Sequence, residues 1–120
     1  MAELKLAPVE SIFADLIWQN EPLPSHQLVK LAEKMLDWKK STTYTVLKRL
    51  CDRGIFQNKN GTVTSLISKK EFQSMQSEAF VNETFGGSLP AFLAAFGSRK
   101  KFSVKEITQM ENIIRDMRED

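Results

Sequence analysis

The first helix predicted by the sequence has apolar residues at the i, i+3, i+4, i+7, i+8 spacing of one buried helical face. The stretch APVESIFADLIWQN carries this pattern, and Pro8 suits its first turn because proline lacks a backbone N–H there. Pro22 and Pro24 cannot continue a helix, so the first one ends before them. The predicted inner positions are Val9, Ile12, Phe13, Leu16 and Ile17.

Two further helices are predicted before the chain reaches residue 55. Ser25 is the expected N-cap of the second, and Gly54 is the expected left-handed terminator of the third. The inner face of the second helix consists of Leu28, Leu31, Ala32 and Met35. Placing residues 41–52 at the helical period separates an inner face of Thr43, Val46, Leu47 and Leu50 from an outer face of Ser41, Thr42, Thr45, Lys48, Arg49 and Asp52.

A β-hairpin is predicted directly after the third helix. Two short β-prone runs, IFQNK and TVTSLI, flank Asn60–Gly61, and Asn-Gly between such runs is a strong hairpin signal. Three helices followed by a hairpin is the element order of a winged helix-turn-helix domain. The fold is therefore expected to be mainly α with a small β-hairpin wing, and residues 1–68 are expected to form a winged-helix DNA-binding domain.

Residues 69–120 are expected to form a helical dimerisation region. Serines followed three residues later by glutamate favour helix starts, and glycines favour helix ends. Ser68 and Ser103 have such a glutamate, and the predicted break after the first of these helices is Gly86–Gly87. A short apolar helix is predicted between them, from Ser88 to Gly97. So small a lobe cannot cover all of its apolar side chains internally. The expected dimer contacts are Phe80, Phe92, Phe96, Ile107, Met110, Ile114 and Met117; the alternative is a satellite core packed onto the winged helix.

Composition and charge narrow the class of protein. With 42% hydrophobic and 27% charged residues, the chain has the composition of a soluble globular protein. Residues 1–70 contain eleven basic and seven acidic side chains, whereas residues 71–120 contain six and eight. A polyanion is therefore expected to meet the first part. A single cysteine, and an N-terminus MAELKLAPVE without an apolar signal segment, favour a cytoplasmic location.

The third helix carries the chemistry expected of a DNA-binding surface. Its outer face has hydroxyls that permit close approach of the backbone, and Asp52 is the only acid on it. Arg49 has the geometry to contact a guanine bidentately, and Lys48 suits a phosphate. The alternative is an ordinary solvated helix face. The predicted DNA-binding residues are Lys40, Ser41, Thr42, Tyr44, Thr45, Lys48, Arg49 and Lys59.

Other residues do not indicate catalysis or metal binding. His26 has no second imidazole or acid at ligand spacing, and Cys51 lies at the edge of the apolar face of the third helix. Trp18 and Trp38 are expected to fill the core. There is no nucleophile–base pair, carboxylate dyad or glycine-rich phosphate loop. We therefore expect no enzyme activity, no metal and no cofactor.

Several stretches resemble the penicillinase-repressor family, which includes methicillin-resistance and copper-transport repressors. LAPVESIFADLIW is similar to that family's first helix, and LISKKEF and FVNETFGGSLPAFLAAF are similar to its C-terminal segments. WKKSTTYTVLKRLCDRGIF resembles its recognition helix at Trp38, Thr42, Thr45, Leu47, Arg49, Leu50, Arg53 and Gly54. The resemblance implies a homodimeric winged-helix repressor of an inverted-repeat operator. The alternative is a winged-helix module for protein–protein contact without sequence-specific DNA binding.

The chain departs from the family pattern at three points. Gly61 is followed by Thr62 where the family has an arginine, and the next strand is about three residues short, which leaves Lys59 as the candidate wing contact. Ala95–Phe96 stands at the Asn-Phe bond that a sensor protease cuts in antibiotic-responsive members. The cysteine cluster of copper-responsive members is absent. We expect neither trigger to apply unchanged; the identity of any sensor or protease partner is left open.

Overall fold

The computed structural model describes residues 5–118 of the 120-residue chain. This described part contains six helices and three short strands. The helices are α1 (Pro8–Asn20), α2 (Ser25–Leu36), α3 (Lys40–Asp52), α4 (Lys69–Phe85), α5 (Leu89–Arg99) and α6 (Val104–Asp116). The strands are β1 (Leu23–Pro24), β2 (Phe56–Lys59) and β3 (Thr62–Ser65).

The predicted hairpin is present and forms the wing of a winged helix-turn-helix fold. Strands β2 and β3 pair antiparallel around Asn60 and Gly61, whose φ angles of 55° and 80° are both in the left-handed region. Asparagine and glycine tolerate that conformation, which matches the twist of the flanking strands. The strand order is β1-β3-β2, with Leu23 opposite Val63. The sequence did not predict β1, because a strand of two residues, one of which is Pro24, has no recognisable strand pattern.

The contacts of the chain divide it into two compact units, Met1–Ala79 and Phe80–Asp120. The core of the first unit draws on all of its helices and strands, including Phe72 of α4, which is 2% exposed. Its buried members are Phe13, Ala14, Ile17, Leu23, Leu28, Ala32, Val46, Leu47, Leu50, Ile55, Phe56, Val63 and Phe72. The predicted boundary after residue 68 separates a DNA-binding part from a dimerisation part, and this division by function stays a prediction.

Both tryptophans pack against the core of the first unit, as predicted. The indole N–H of Trp18 donates to the backbone carbonyl of Ile67 at 3.0 Å. The Trp18 ring also lies against Phe56 and Phe72, with centroid distances of 5.1 and 5.7 Å. The Trp38 ring lies 5.0 Å from that of Phe13. These contacts join the start of α4 and the segment before α3 to α1.

Two predictions for the start and the inner face of α2 are wrong. Pro24 occupies the N-cap and Ser25 is the first helical residue, with its N–H donating to the carbonyl of Gly61 at 2.7 Å. The hairpin turn therefore caps this helix in place of a side chain. Met35 is 58% exposed, since α2 ends at Leu36 and the chain turns at Asp37, whose φ is 57°.

The buried face of α1 is rotated from the predicted one. Phe13, Leu16 and Ile17 are buried as expected, but Val9 and Ile12 are 46% and 48% exposed. Glu10 and Ala14 are buried instead. The apolar pattern did not predict this face because one of its buried residues is Glu10, whose carboxylate is paired with cations. A search for apolar residues does not identify such a position.

Apart from the start of α2, the helix boundaries are predicted correctly except at Gly97. Gly54 has a φ of 80° after the end of α3, and Gly86–Gly87 follows the end of α4. Ser103 and Glu106 form the predicted capping box of α6. Gly97 does not end α5, which continues to Arg99 and places Ala95–Phe96 inside a helix.

No helix in the described range 5–118 has the length and apolar character needed to cross a membrane. The expectation that the chain carries no signal segment draws on residues 1–10, and the first four of these lie outside the described part.

Candidate nucleic-acid interface

The two faces that the sequence predicts for α3 are present in the structure. The four inner residues, Thr43, Val46, Leu47 and Leu50, are buried in the core. The exposed outer residues are Ser41, Thr42, Thr45, Lys48, Arg49 and Asp52. One side of the helix is thus fixed by packing, and the other is open to a partner.

The beginning of α3 is suited to an anion. Its N-cap residue Lys39 provides no side-chain hydrogen bond to the first turn, and its carbonyl accepts from the backbone N–H and the hydroxyl of Thr43 at 3.0 and 3.2 Å. Lys40 is exposed at the first helical position. Backbone N–H groups at a helix start, with lysines beside them, favour a phosphate group.

Lys48 is held only by a weak ion pair. Its ammonium lies 3.0 Å from the Asp52 carboxylate one turn later, and the two side chains are 77% and 66% exposed. Exposed pairs at this spacing contribute about 0.3–0.5 kcal/mol, because water and salt screen them. The lysine can therefore exchange Asp52 for a phosphate at little cost.

Arg49 is held differently, because its partner is buried. Its Nη1 donates to Oε2 of Glu10 on α1 at 3.0 Å. The arginine side chain is 53% exposed, whereas that of the glutamate is 11% exposed. The guanidinium is thus fixed at its inner edge while much of the side chain faces solvent.

Glu10 has further contacts that keep its carboxylate ionised. Its Oε1 accepts the backbone N–H of Ala7 at 2.9 Å, and the guanidinium of Arg53 lies 3.7 Å away. The pKa of Glu10 is lowered, first by the Ala7 hydrogen bond and then by Arg49 and Arg53, against the opposing effect of burial. Sequence reasoning missed this residue, although a glutamate at the third position of a proline-initiated helix is a recognisable capping signal.

The remaining predicted DNA-binding residues lie in different settings. Tyr44 is half-buried, and its hydroxyl lies 3.1 Å from that of Ser25 at the start of α2. The Thr45 hydroxyl donates to the carbonyl of Ser41 at 2.8 Å, so its oxygen can still accept. Lys59 is exposed at the end of β2, beside the hairpin turn. Seven of the eight predicted residues therefore belong to α3, and Lys59 belongs to the wing.

The second unit exposes most of its apolar side chains. Phenylalanines form a continuous series of ring contacts, 5.6 to 6.1 Å between centroids, through Phe80, Phe85, Phe92, Phe96 and Phe102. No residue between 80 and 118 is fully buried. Of the predicted dimer contacts, Phe92 and Met110 are half-buried, and the exposed ones are Phe80, Phe96, Ile107, Ile114 and Met117.

Among the described residues there is no group of three or more His, Cys, Asp or Glu side chains that could hold a metal ion. Cys51 is half-buried and packs against the core, as predicted. Burial, followed by the nearby charge of Asp52, raises the pKa of its thiol.

Comparison with known proteins identifies the family of this chain. The sequence profile of the family described as Penicillinase repressor matches residues 6–116. The penicillinase repressor of Bacillus licheniformis is 25% identical over 105 residues, which cover 84% of this chain and 82% of the relative. Because the profile spans nearly the whole chain, from α1 to α6, the protein belongs to the penicillinase repressor family of transcriptional repressors.

Proposed function

We propose that this protein is a homodimeric repressor that binds an inverted-repeat operator in double-stranded DNA through α3. The observation that carries the proposal is the outer face of that helix. It presents three hydroxyl side chains, Lys48 and Arg49, with Asp52 as its single acid. A partner for such a face is polyanionic and carries acceptors at its base edges, as the DNA major groove does.

The residues of this face have separate roles in the proposal. Arg49 donates to a base edge, Thr42 contacts a base or a phosphate close to the helix, and the Thr45 oxygen accepts from a base amino group. Lys40 and Lys48 neutralise phosphates, and Lys59 makes the wing contact. Base contacts supply sequence preference, whereas phosphate contacts supply affinity and orientation. Thr45→Ala and Arg49→Ala should each therefore cost about 1–3 kcal/mol of discrimination between operator and random DNA.

A second copy of the chain is the proposed partner of the second unit. Ile107, Met110, Ile114 and Met117 repeat at 3-4-3 spacing along α6, and three of them are between 44% and 75% exposed. Exposed apolar patches of this kind mark interaction surfaces, and residues 80–118, none of which is fully buried, need such a surface. Two copies would set two recognition helices about 34–36 Å apart, or a multiple of it, on a two-fold operator.

In this proposal the protein represses transcription only by binding to DNA. The protein occupies DNA in the cytoplasm and has no enzyme activity and no cofactor. The chemistry of α3 and the wing supports this, because donors and cations suffice to hold a duplex in place. The antibiotic and copper triggers of the family remain outside the proposal, since Ala95 replaces the asparagine of the cleaved bond and Cys51 is the only cysteine.

The experiment that tests DNA binding is a salt titration with two duplexes, one of random sequence and one that the protein has enriched from a random pool. Binding measured by fluorescence anisotropy should fall log-linearly with salt, losing several orders of magnitude between about 50 and 200 mM if six or more phosphates are neutralised. Lys105→Ala, which removes an exposed lysine on α6, is the matched control and should leave the slope unchanged. A protein–protein module would show weak duplex binding with no sequence-dependent component.

A further inference from the structure

We infer that Glu10 is a positioning residue for DNA recognition: it holds the Arg49 guanidinium toward a base edge and keeps it from neighbouring phosphates. The inference rests on the proposed function, because it assumes that α3 enters the major groove. It concerns a residue on α1, outside the helix that carries the predicted contacts. The geometry around the carboxylate carries the argument.

The Glu10 carboxylate is a fixed point. Its side chain is 11% exposed, and one oxygen accepts the Ala7 backbone N–H at 2.9 Å. The next turn of α1 carries Phe13 and Ala14, both fully buried in the core. Packing in the core therefore fixes the position of the Glu10 carboxylate. A side chain that is hydrogen-bonded to this carboxylate is oriented by it.

Arg49 is the side chain that takes this orientation. Its Nη1 lies 3.0 Å from the second Glu10 oxygen, and the side chain remains 53% exposed. A guanidinium has five N–H donors in one plane, and this bond engages one of them. Fixing one edge of the plane therefore fixes the direction of the donors on the other edge. A bidentate contact to guanine requires donors held in that way.

Lys48 and Asp52 provide the contrast on the same helix. That pair is also 3.0 Å long, but both of its side chains are more than 60% exposed and belong to α3 itself. A partner that is mobile and solvated cannot orient a cation. The structure therefore assigns positioning to Glu10 and leaves Lys48 as a mobile contact for phosphates.

Charge gives Glu10 a second effect on specificity. Its carboxylate lies 3.0 and 3.7 Å from the guanidinium groups of Arg49 and Arg53. Without this negative charge, Arg49 would be repelled by the neighbouring cation and attracted by DNA phosphates. Phosphate contacts are insensitive to sequence, so binding would become stronger on random DNA and less selective.

The test compares Glu10→Gln with wild type, using a duplex enriched from a random pool by the wild-type protein and a random duplex. Glutamine keeps an oxygen that can accept the Ala7 N–H and loses the charge. We expect discrimination between the duplexes to fall about tenfold. The salt slope on random DNA should steepen by about 0.9, the value of one added phosphate contact. Asp52→Asn, the control, should strengthen binding to both duplexes alike and leave their ratio unchanged.

A purely structural role for Glu10 gives a different result. Loss of folded protein lowers the apparent affinity for both duplexes by one factor and moves neither the ratio nor the salt slope. Glu10→Asp is the second variant: it keeps the charge but draws the carboxylate back by one methylene, so it should lower discrimination without changing the slope. The inference would be overturned if both variants discriminated between the enriched and the random duplex as strongly as the wild-type protein does. Failure of the wild-type protein to bind any duplex would instead overturn the proposed function.

Discussion

The phenolic oxygen of Tyr44 lies 3.1 Å from the hydroxyl oxygen of Ser25, which joins the second turn of α3 to the first residue of α2. The backbone N–H of Ser25 also donates to the carbonyl of Gly61 in the hairpin turn, at 2.7 Å. Ser25 therefore connects both α3 and the wing to α2. The sequence predicted Ser25 as a helix cap and Tyr44 as a DNA contact, and it did not indicate that the two meet.

Removing the Tyr44 hydroxyl should lower the stability of the fold. Tyr44→Phe should reduce the free energy of unfolding by about 0.5–1.5 kcal/mol, the net contribution of one part-buried hydrogen bond. Urea denaturation of this variant, of Ser25→Ala and of the double variant gives the interaction energy of the pair. Strict additivity of the two single substitutions would show that the hydroxyls do not stabilise each other.

Replacing Lys48 should weaken binding to every duplex by a similar factor. Its contact with Asp52 is exposed and weak, so Lys48 is available to a phosphate. Lys48→Ala should make the slope of log affinity against log salt shallower by about one unit and leave the preference for operator unchanged. Anisotropy titrations at several salt concentrations measure both quantities. A change of sequence preference with a constant slope would assign Lys48 to a base.

Glu10 should make stability depend on pH in the acidic range. Its pKa is lowered in the folded state, first by the Ala7 N–H and then by Arg49 and Arg53. Its contribution is therefore complete above the unfolded pKa of about 4.3 and is lost as the pH falls through the folded value. The free energy of unfolding of wild type should exceed that of Glu10→Gln by about 1 kcal/mol at neutral pH, and the difference should shrink below pH ~4.

Chemical denaturation at a series of pH values measures this difference. Glu33→Gln, at an exposed position on α2, is the control and should differ little from wild type at any pH. The account of Glu10 is wrong if the free energy of unfolding of Glu10→Gln is lower than that of wild type by the same amount at pH 7 and below the folded pKa.

Ile114→Asp should prevent the proposed dimer from forming and leave a monomer. Ile114 is 61% exposed in the single chain and lies within the apolar repeat of α6, so a second copy would bury the new carboxylate. Asn112→Asp is the matched control: Asn112 is exposed on α6 and, two residues from Ile114, lies on the opposite side of the helix from the apolar repeat. Sedimentation equilibrium should show a monomer for the first variant and a dimer for the second. An undiminished dimer of Ile114→Asp would exclude α6 as the interface.

The elements that local chemistry specifies were predictable from the sequence. The two faces of α3 follow from helical periodicity, the wing turn from the left-handed tolerance of Asn60 and Gly61, and the start of α6 from the Ser103–Glu106 box. Each of these depends on residues within a few positions of one another. The candidate DNA-binding face was predictable for the same reason, since it lies on one helix.

Features that depend on distant parts of the chain were not predictable. Glu10 and Arg49 are 39 positions apart, and a pattern of apolar residues cannot indicate a buried acid that an arginine compensates. The turn at Gly61 replaces Ser25 as the cap of α2, because the hairpin returns to the start of that helix. Phe96 is 46% exposed in the single chain, and the sequence could not indicate this, because an apolar pattern does not show which side chains cover α5.

Selection of bound sequences from a random duplex pool tests the central claim most directly. A dimer with one α3 in each of two half-sites should enrich an inverted repeat whose half-site centres are about 10–10.5 base pairs apart or a multiple of that. Repeating the selection with Arg49→Ala should relax the sequence within each half-site and keep the spacing. Enrichment of no sequence, or of a single site without a two-fold repeat, would contradict a dimeric repressor that recognises DNA through α3.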